Sequence, residues 1–245
     1  MKVVILAAGR GTRLAPLTDT IPKVLIPICG RAFLSYVLDH LIAAGFSDFG
    51  VVVGYKKERV AEFFQVYAQD HRCTITLLEQ KEQKGTGDAL RVARYFCGEE
   101  SFVVVGGDGL LSVRDLKKLN VRDDFCYMMG KKVSDPSRYG ILKVWDGSRM
   151  KQGQTNELFL ERVVEKPQQF MGDLASAGIY KFTKDIWVEL RDLPLSQRGE
   201  IELTDAVNVL AARGKMRVLM IHDYWLDLGK KEDIAMIEEF LKKEK

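Results

Sequence analysis

Several familiar signatures are missing from this chain of 245 residues, and each absence removes a class of function. The four cysteines, Cys29, Cys73, Cys97 and Cys126, lie far apart and form no C-x-x-C pair. A zinc centre or a thioredoxin-type redox pair is therefore unsupported, and reduced thiols are the expectation. No apolar run approaches the length of a membrane span. The apolar opening, Val3 to Leu6, is too short for a secretory leader and is soon followed by Arg10 and Arg13, so it reads as a first strand of a cytoplasmic protein. Neither sign of charge is in excess: 37 Lys and Arg stand against 34 Asp and Glu, a net of +3. That balance argues against a nucleic-acid or membrane-surface partner. Internal repeats, low-complexity tracts and linker-like stretches are also missing, which makes residues 1–245 one expected domain.

What the chain does contain is a large apolar fraction, 47%, arranged in alternating strand and helix patterns. Val3 to Ala7 is a continuous apolar run, as expected for a central parallel strand covered on both faces. Phe33, Val37 and Leu41 recur at helical spacing, and Gly45 ends their stripe. Val51 to Val53 follow as a strand, then a helical pattern of Val60, Phe64 and Tyr67, a strand Ile75 to Leu78, a helix through Ala89, Ala93 and Phe96, and a strand Phe102 to Val105. This alternation predicts an open doubly wound, mostly parallel α/β sheet. From Phe125 to Tyr180 the texture changes to short strands separated by Gly and Pro, which reads as added mixed or antiparallel sheet. Helices return at the end, with Thr204 placed as the cap of one that Gly214 stops.

A glycine-rich loop, Leu6-Ala7-Ala8-Gly9-Arg10-Gly11-Thr12-Arg13-Leu14, leaves the first strand. Its two glycines let backbone N–H groups face an anion. The dinucleotide fingerprint fails, because Leu14 stands where a third glycine belongs and Gly54 where an acid would end the second strand. The G-x-x-x-x-G-K-[ST] loop is absent as well. The segment from Leu6 to Thr18, followed by Ile21-Pro22-Lys23-Val24-Leu25-Ile26-Pro27, closely resembles the opening motif of sugar-1-phosphate nucleotidyltransferases. Its Ala-Ala-Gly start, like the five-residue step from Gln80 to Gly85 further on, looks most like uridylyltransferase members. The resemblance implies a Rossmann-like nucleotidyltransferase fold with a sugar-binding added portion. It also implies that Leu6, Ala7, Ala8, Gly9, Gly11 and Thr12 wrap a nucleoside triphosphate, while Arg13 and Lys23 contact its phosphate oxygens.

Further segments extend the resemblance. Gln80 to Ala89 is similar to the family's base-reading stretch, which implies that Gln80, Gly85 and Thr86 meet the nucleotide, with Gln83 as an alternative to Gln80. An amide offers the donor and acceptor that a uracil or thymine edge requires. Asp108, after the apolar run Phe102 to Val105, falls at a strand's carboxyl end, where open α/β sheets bind ligands. The family's G-D element implies that it holds Mg²⁺, with Asp227 of Trp225-Leu226-Asp227-Leu228-Gly229 as the second ligand. One or two carboxylates plus phosphate oxygens and water suit that ion. Glu165 and Lys166 resemble an E-K-P element that contacts the sugar and its phosphate. Gly140 resembles a backbone contact to the sugar, and Ser176 takes the place of the family's usual asparagine.

Together these imply that a sugar-1-phosphate, glucose-1-phosphate or N-acetylglucosamine-1-phosphate, attacks an NTP with UTP favoured, and that pyrophosphate leaves. Arg13, Lys23, Asp108 and Lys166 are the expected catalytic residues, and Mg²⁺ the expected cofactor. Assembly into dimers or tetramers stays open. Two rivals remain: a thymidylyltransferase or an enzyme acting on another phosphate ester, and a non-catalytic regulatory domain of the same fold. The presence of Arg13, Lys23, Asp108 and Asp227 weighs against the latter.

Overall fold

The computed structural model describes residues 1–146, 157–196 and 198–244. Four parallel strands form its first half: β1 (Lys2–Leu6), β2 (Asp48–Val53), β3 (Thr74–Glu79) and β4 (Phe102–Gly106), in the order β3-β2-β1-β4. β1 is central because it can be: Val3, Val4 and Ile5 are fully buried, and successive side chains of a strand point to opposite faces. Val3 and Ile5 accordingly enter one core and Val4 the other. Helices α1 (Phe33–Ala43) and α2 (Lys57–Asp70) contribute to the first core, whereas α3 (Thr86–Val92) supplies Ala89 and Leu90 to the second.

A short strand, β5 (Gly109–Leu111), follows β4. The sheet then continues through β6 (Cys126–Lys132), β7 (Gly140–Trp145), β8 (Leu158–Glu165), β9 (Leu174–Phe182) and β10 (Met216–Met220). β9 runs antiparallel to β4 and carries the sheet across. Beyond it the order is β6-β10-β8-β7, giving nine strands among the described residues. Antiparallel pairing predominates there, with β10 parallel to β6 as the exception. Helices α4 (Asp185–Arg191) and α5 (Leu203–Ala212) cover this half. A separate two-stranded ribbon pairs β5 with β11 (Trp225–Asp227), ahead of the last helix, α6 (Lys231–Lys243).

Two sequence expectations need correction. The helix expected to run through Phe96 is broken: α3 stops at Val92, the Ala93 N–H bonds to the Leu90 carbonyl, and a separate turn occupies Arg94–Cys97. The tighter bond from i to i−3 ends the α-helical ladder there. Thr204 is not a cap but the second residue of α5, and Glu202 holds the cap position. The hydroxyl of Thr86 accepts from the Leu203 N–H at 3.1 Å, so a distant residue satisfies one of the helix's orphan donors. Thr204 is left free for another partner.

Candidate active site

The glycine loop curls where β1 ends. Gly11 has a φ of +68°, and a Cβ there would lie 2.9 Å from Lys23 Cβ, so both conformation and crowding demand glycine. The Thr18 hydroxyl donates to the Gly11 carbonyl. Gly9, Arg10, Thr12 and Arg13 are exposed, whereas Ala7 and Ala8 are buried. Small side chains at those two positions fit a tight approach between strands: the Gly54 Cα faces Ala8 so closely that a Cβ would meet the Ala8 Cβ at 3.0 Å. Leu6 anchors the next element, since its carbonyl accepts from the Gly107 N–H at 3.0 Å.

Lys23 reaches the end of β4. Val24 packs over Gly107, where an added Cβ would sit 2.9 Å from Val24 Cγ1. Lys23 Nζ then lies 2.5 Å from Asp108 Oδ2, with the lysine side chain 12% exposed and the aspartate 37%. Asp227 arrives from the other end of the chain. It pairs in register with Gly109, and the Leu228 N–H donates to the Asp108 carbonyl at 2.9 Å. Burial foremost, and next the negative charge of Asp108, push the Asp227 carboxyl up to about 6, against the opposing pull of Lys23 and Arg13. Lys23, Arg13, Asp108 and Asp227 therefore share one electrostatic field.

No group of three or more His, Cys, Asp or Glu gathers into a metal cage among the described residues. A pair of carboxylates repelling one another is nonetheless a donor set that a hard divalent ion fits, once phosphate oxygens and water fill the rest of its shell. Burial and the charge of Asp108 both disfavour the charged Asp227 carboxylate, and a cation held between the two acids would offset that cost.

On the base side, Gln80 is 5% exposed. Its amide nitrogen donates to the Gly85 carbonyl at 3.2 Å and to Asp88 Oδ2 at 2.9 Å. Both amide hydrogens are thus engaged within the loop, and the side-chain oxygen is the group left to meet a ligand. Gln83 donates to the Ala8 carbonyl at 2.7 Å and ties this loop to the glycine loop. Gly85, at φ +99°, faces a wall from far along the chain: a Cβ would lie 2.6 Å from the Ile201 carbonyl oxygen. The Ile201 N–H and carbonyl bond to Lys84 and Gly87, each at 2.8 Å.

A second group of residues forms on the mixed sheet. Gly140 pairs in register with Glu165, and Ala175, next to Ser176, pairs with Ile141. The Thr204 hydroxyl donates to Glu165 Oε1 at 2.7 Å. Lys166 is exposed, has a φ of +40°, and donates its backbone N–H to the Tyr139 carbonyl. Ser176 Oγ accepts from the Gly178 N–H. Among the described residues no hydrogen bond joins this group to Lys23 or Asp108. The rings of Tyr139 and Trp225, with centroids 5.0 Å apart, bridge the two sides. The Ile201 wall, the Gln83 tie and the partners of Arg138 were not foreseen from sequence. The Glu202-Leu203-Thr204-Asp205 stretch was the one available signal for the first of these.

Residues 2–244 match the family model described as nucleotidyl transferase. The chain is 32% identical over 241 residues to a bifunctional sugar-1-phosphate nucleotidylyltransferase/acetyltransferase of Sulfurisphaera tokodaii, covering 98% of this chain and 55% of that protein. A bifunctional protein GlmU of Methanocaldococcus jannaschii is also 32% identical over 241 residues, covering 98% and 54%. The chain spans about half the length of these curated relatives. Among solved structures, a UDP-glucose pyrophosphorylase complexed with UDP-glucose has the same fold, with a TM-score of 0.87 and 24% identity over 100% of this chain and 99% of that one.

Proposed function

Because the chain belongs to the nucleotidyl transferase family, we propose that it transfers a nucleotidyl group from an NTP, UTP by preference, to a sugar-1-phosphate, giving a nucleotide sugar and pyrophosphate. The observation that carries this reading is the Lys23–Asp108 pair beside the raised Asp227. A cation and two carboxylates at one strand end can divide between two ligands: the lysine to phosphate oxygens, the carboxylates to a divalent ion. A curated relative named as a sugar-1-phosphate nucleotidylyltransferase favours the acceptor, and a fold neighbour named for UDP-glucose favours uridine.

In this mechanism a phosphate oxygen of the sugar-1-phosphate attacks the α-phosphorus of the NTP. The bond from that phosphorus to the bridging oxygen breaks, and its electron pair leaves with pyrophosphate. The nucleophile is already anionic, so no general base is required. The glycine loop, from Leu6 to Thr12, wraps the triphosphate with backbone N–H groups. Arg13 and Lys23 offset charge developing on the leaving group. The Gln80 oxygen and the Gly85 backbone meet the pyrimidine, beside Thr86. Gly140, Glu165 and Ser176 hold the sugar, and Lys166 meets its phosphate. Asp108 and Asp227 would hold Mg²⁺, which supplies charge neutralisation and orientation when bound. Catalysis is then positioning and electrostatics.

Pyrophosphate release over a matrix of four NTPs and several sugar-1-phosphates tests the reading. Turnover is expected with UTP and glucose-1-phosphate or N-acetylglucosamine-1-phosphate. A preference for dTTP would move the base assignment alone, and no turnover in any cell of the matrix would overturn the function.

A further inference from the structure

Resting on the transfer reaction above, we propose that Arg138 and Asp233 form a positioning brace that orients Asp227 and fastens the sugar-side turn to the metal-side strand. Asp233 is 3% exposed. Its Oδ2 accepts from the backbone N–H groups of Gly229 and Lys230, both at 2.8 Å. So far this is an ordinary cap at the start of α6. A cap does not call for Arg138, which comes from 95 residues earlier in the chain and places Nη2 3.3 Å from Asp233 Oδ2.

The three charged groups meet over one glycine. A Cβ at Gly229 would lie 3.0 Å from Asp227 Oδ2, 3.3 Å from Asp233 Oδ2 and 3.4 Å from Arg138 Nη2. Gly229 therefore lets the carboxylate of Asp227 approach the ion pair, and Arg138 is the cation placed among two acids. The same arginine ends the short helical turn Pro136–Arg138, from which the extended Tyr139 leads into β7 at Gly140. Tyr139 stacks at a tilt on Trp225, two residues before Asp227, and Gly140 pairs with Glu165. The ring contact thus connects the strand carrying Asp227, and the ion pair the helix start just after it, to the segment that leads into the strand pair carrying Glu165. Losing a group that orients a metal-binding carboxylate without touching the ion typically costs roughly 10- to 100-fold in metal affinity or activity.

The brace and plain electrostatics differ in sign. Deleting the positive charge of Arg138 leaves the acidic pair more negative, which by charge alone tightens cation binding. Deleting a brace lets Asp227 swing and loosens it. The test compares wild type, Arg138→Gln, Arg138→Lys and Asp233→Asn, counting free Mn²⁺ by electron paramagnetic resonance on the full chain, with melting curves and steady-state kinetics beside it. The Arg138 side chain is 31% exposed, so the glutamine variant is expected to fold. Mn²⁺ binding should weaken roughly 10-fold and the KM for sugar-1-phosphate should rise, while the KM for NTP, read at saturating Mg²⁺, should stay within about twofold of wild type. Arg138→Lys, which keeps the charge without the planar fork, should recover part of the loss. Unchanged or tighter Mn²⁺ binding in folded Arg138→Gln would overturn the brace. Should the glutamine or asparagine variant fail to fold, wild-type Mn²⁺ affinity together with wild-type sugar-phosphate KM in Arg138→Lys would overturn it equally. A wild type that turns over no sugar phosphate, with weakened Mn²⁺ binding in the variants, would sink the proposed reaction and leave the brace standing.

Discussion

In the parallel half the residues assigned to the triphosphate all follow one strand end, that of β1, and lie within residues 6–23. In the mixed half the residues assigned to the sugar come from three separate stretches, at 140, 165–166 and 176, that meet through the pairing of β7 with β8 and with β9. The first arrangement follows from topology, since a doubly wound sheet delivers every strand's carboxyl end to one crevice. The second depends on individual contacts: Thr204 on Glu165, Lys166 on Tyr139, Arg138 on Asp233. The nucleotide side should therefore fail all at once when a charge is removed, and the sugar side by degrees.

The largest effect is expected at Asp108. Asp108→Asn should melt near wild type yet lose about 10³-fold or more in kcat, the scale of losing a preorganised electrostatic group. Turnover near the native rate would remove Asp108 from the mechanism. Next comes Asp115, fully buried between the two regions, where it accepts from Ser112, Lys118 and the backbone N–H groups of His222 and Asp223. It anchors the segment that leads to Trp225 and Asp227. Asp115→Ala should cost about 3 kcal/mol in chemical denaturation. Burial raises its carboxyl, but hydrogen bonds from Lys118, Asp223, His222 and Ser112 outweigh that and lower it from 3.8 to about 2. Its contribution is thus present above pH 3.8 and lost as the pH falls through about 2. The gap between wild type and variant should close over that window, and a gap independent of acid would contradict the hydrogen-bonded carboxylate.

Lys23→Ala should lower kcat roughly 10²-fold at saturating Mg²⁺; full activity there would separate it from the leaving group. The smallest effect is expected on the sugar side. Thr204→Val removes one exposed hydrogen bond to Glu165, worth about 1 kcal/mol, so the KM for sugar phosphate should rise several-fold with kcat and the KM for NTP unchanged. A rise in the KM for NTP instead would place Thr204 on the wrong side of the cleft.

The same contrast explains what the sequence disclosed. The run Val3 to Ile5, the helical stripe of α1 and the Gly-Gly-Asp after β4 are each contiguous patterns, and the parallel half could be read from them with its loop residues in order. Asp227 was legible only through its resemblance to a motif, since its partner Asp108 is far away in sequence and no local pattern reports a pairing of β5 with β11. Thr204 was misread because its local context, ahead of a helix, suits a cap, and nothing nearby reveals that Thr86 already supplies that bond. Gln80 was read as offering the base both a donor and an acceptor, whereas Gly85 and Asp88 engage its nitrogen. The pairing of Arg138 with Asp233 gave no signal, because ion pairs across long separations leave no spacing to find.

The most direct test is the pyrophosphate-release assay run on wild type and Asp108→Asn in parallel, with UTP, glucose-1-phosphate and Mg²⁺. Metal-dependent release by the wild type and its near-complete loss in a folded variant is the expected result. Equal release by both proteins, or none by the wild type with any nucleotide and sugar phosphate, would contradict it.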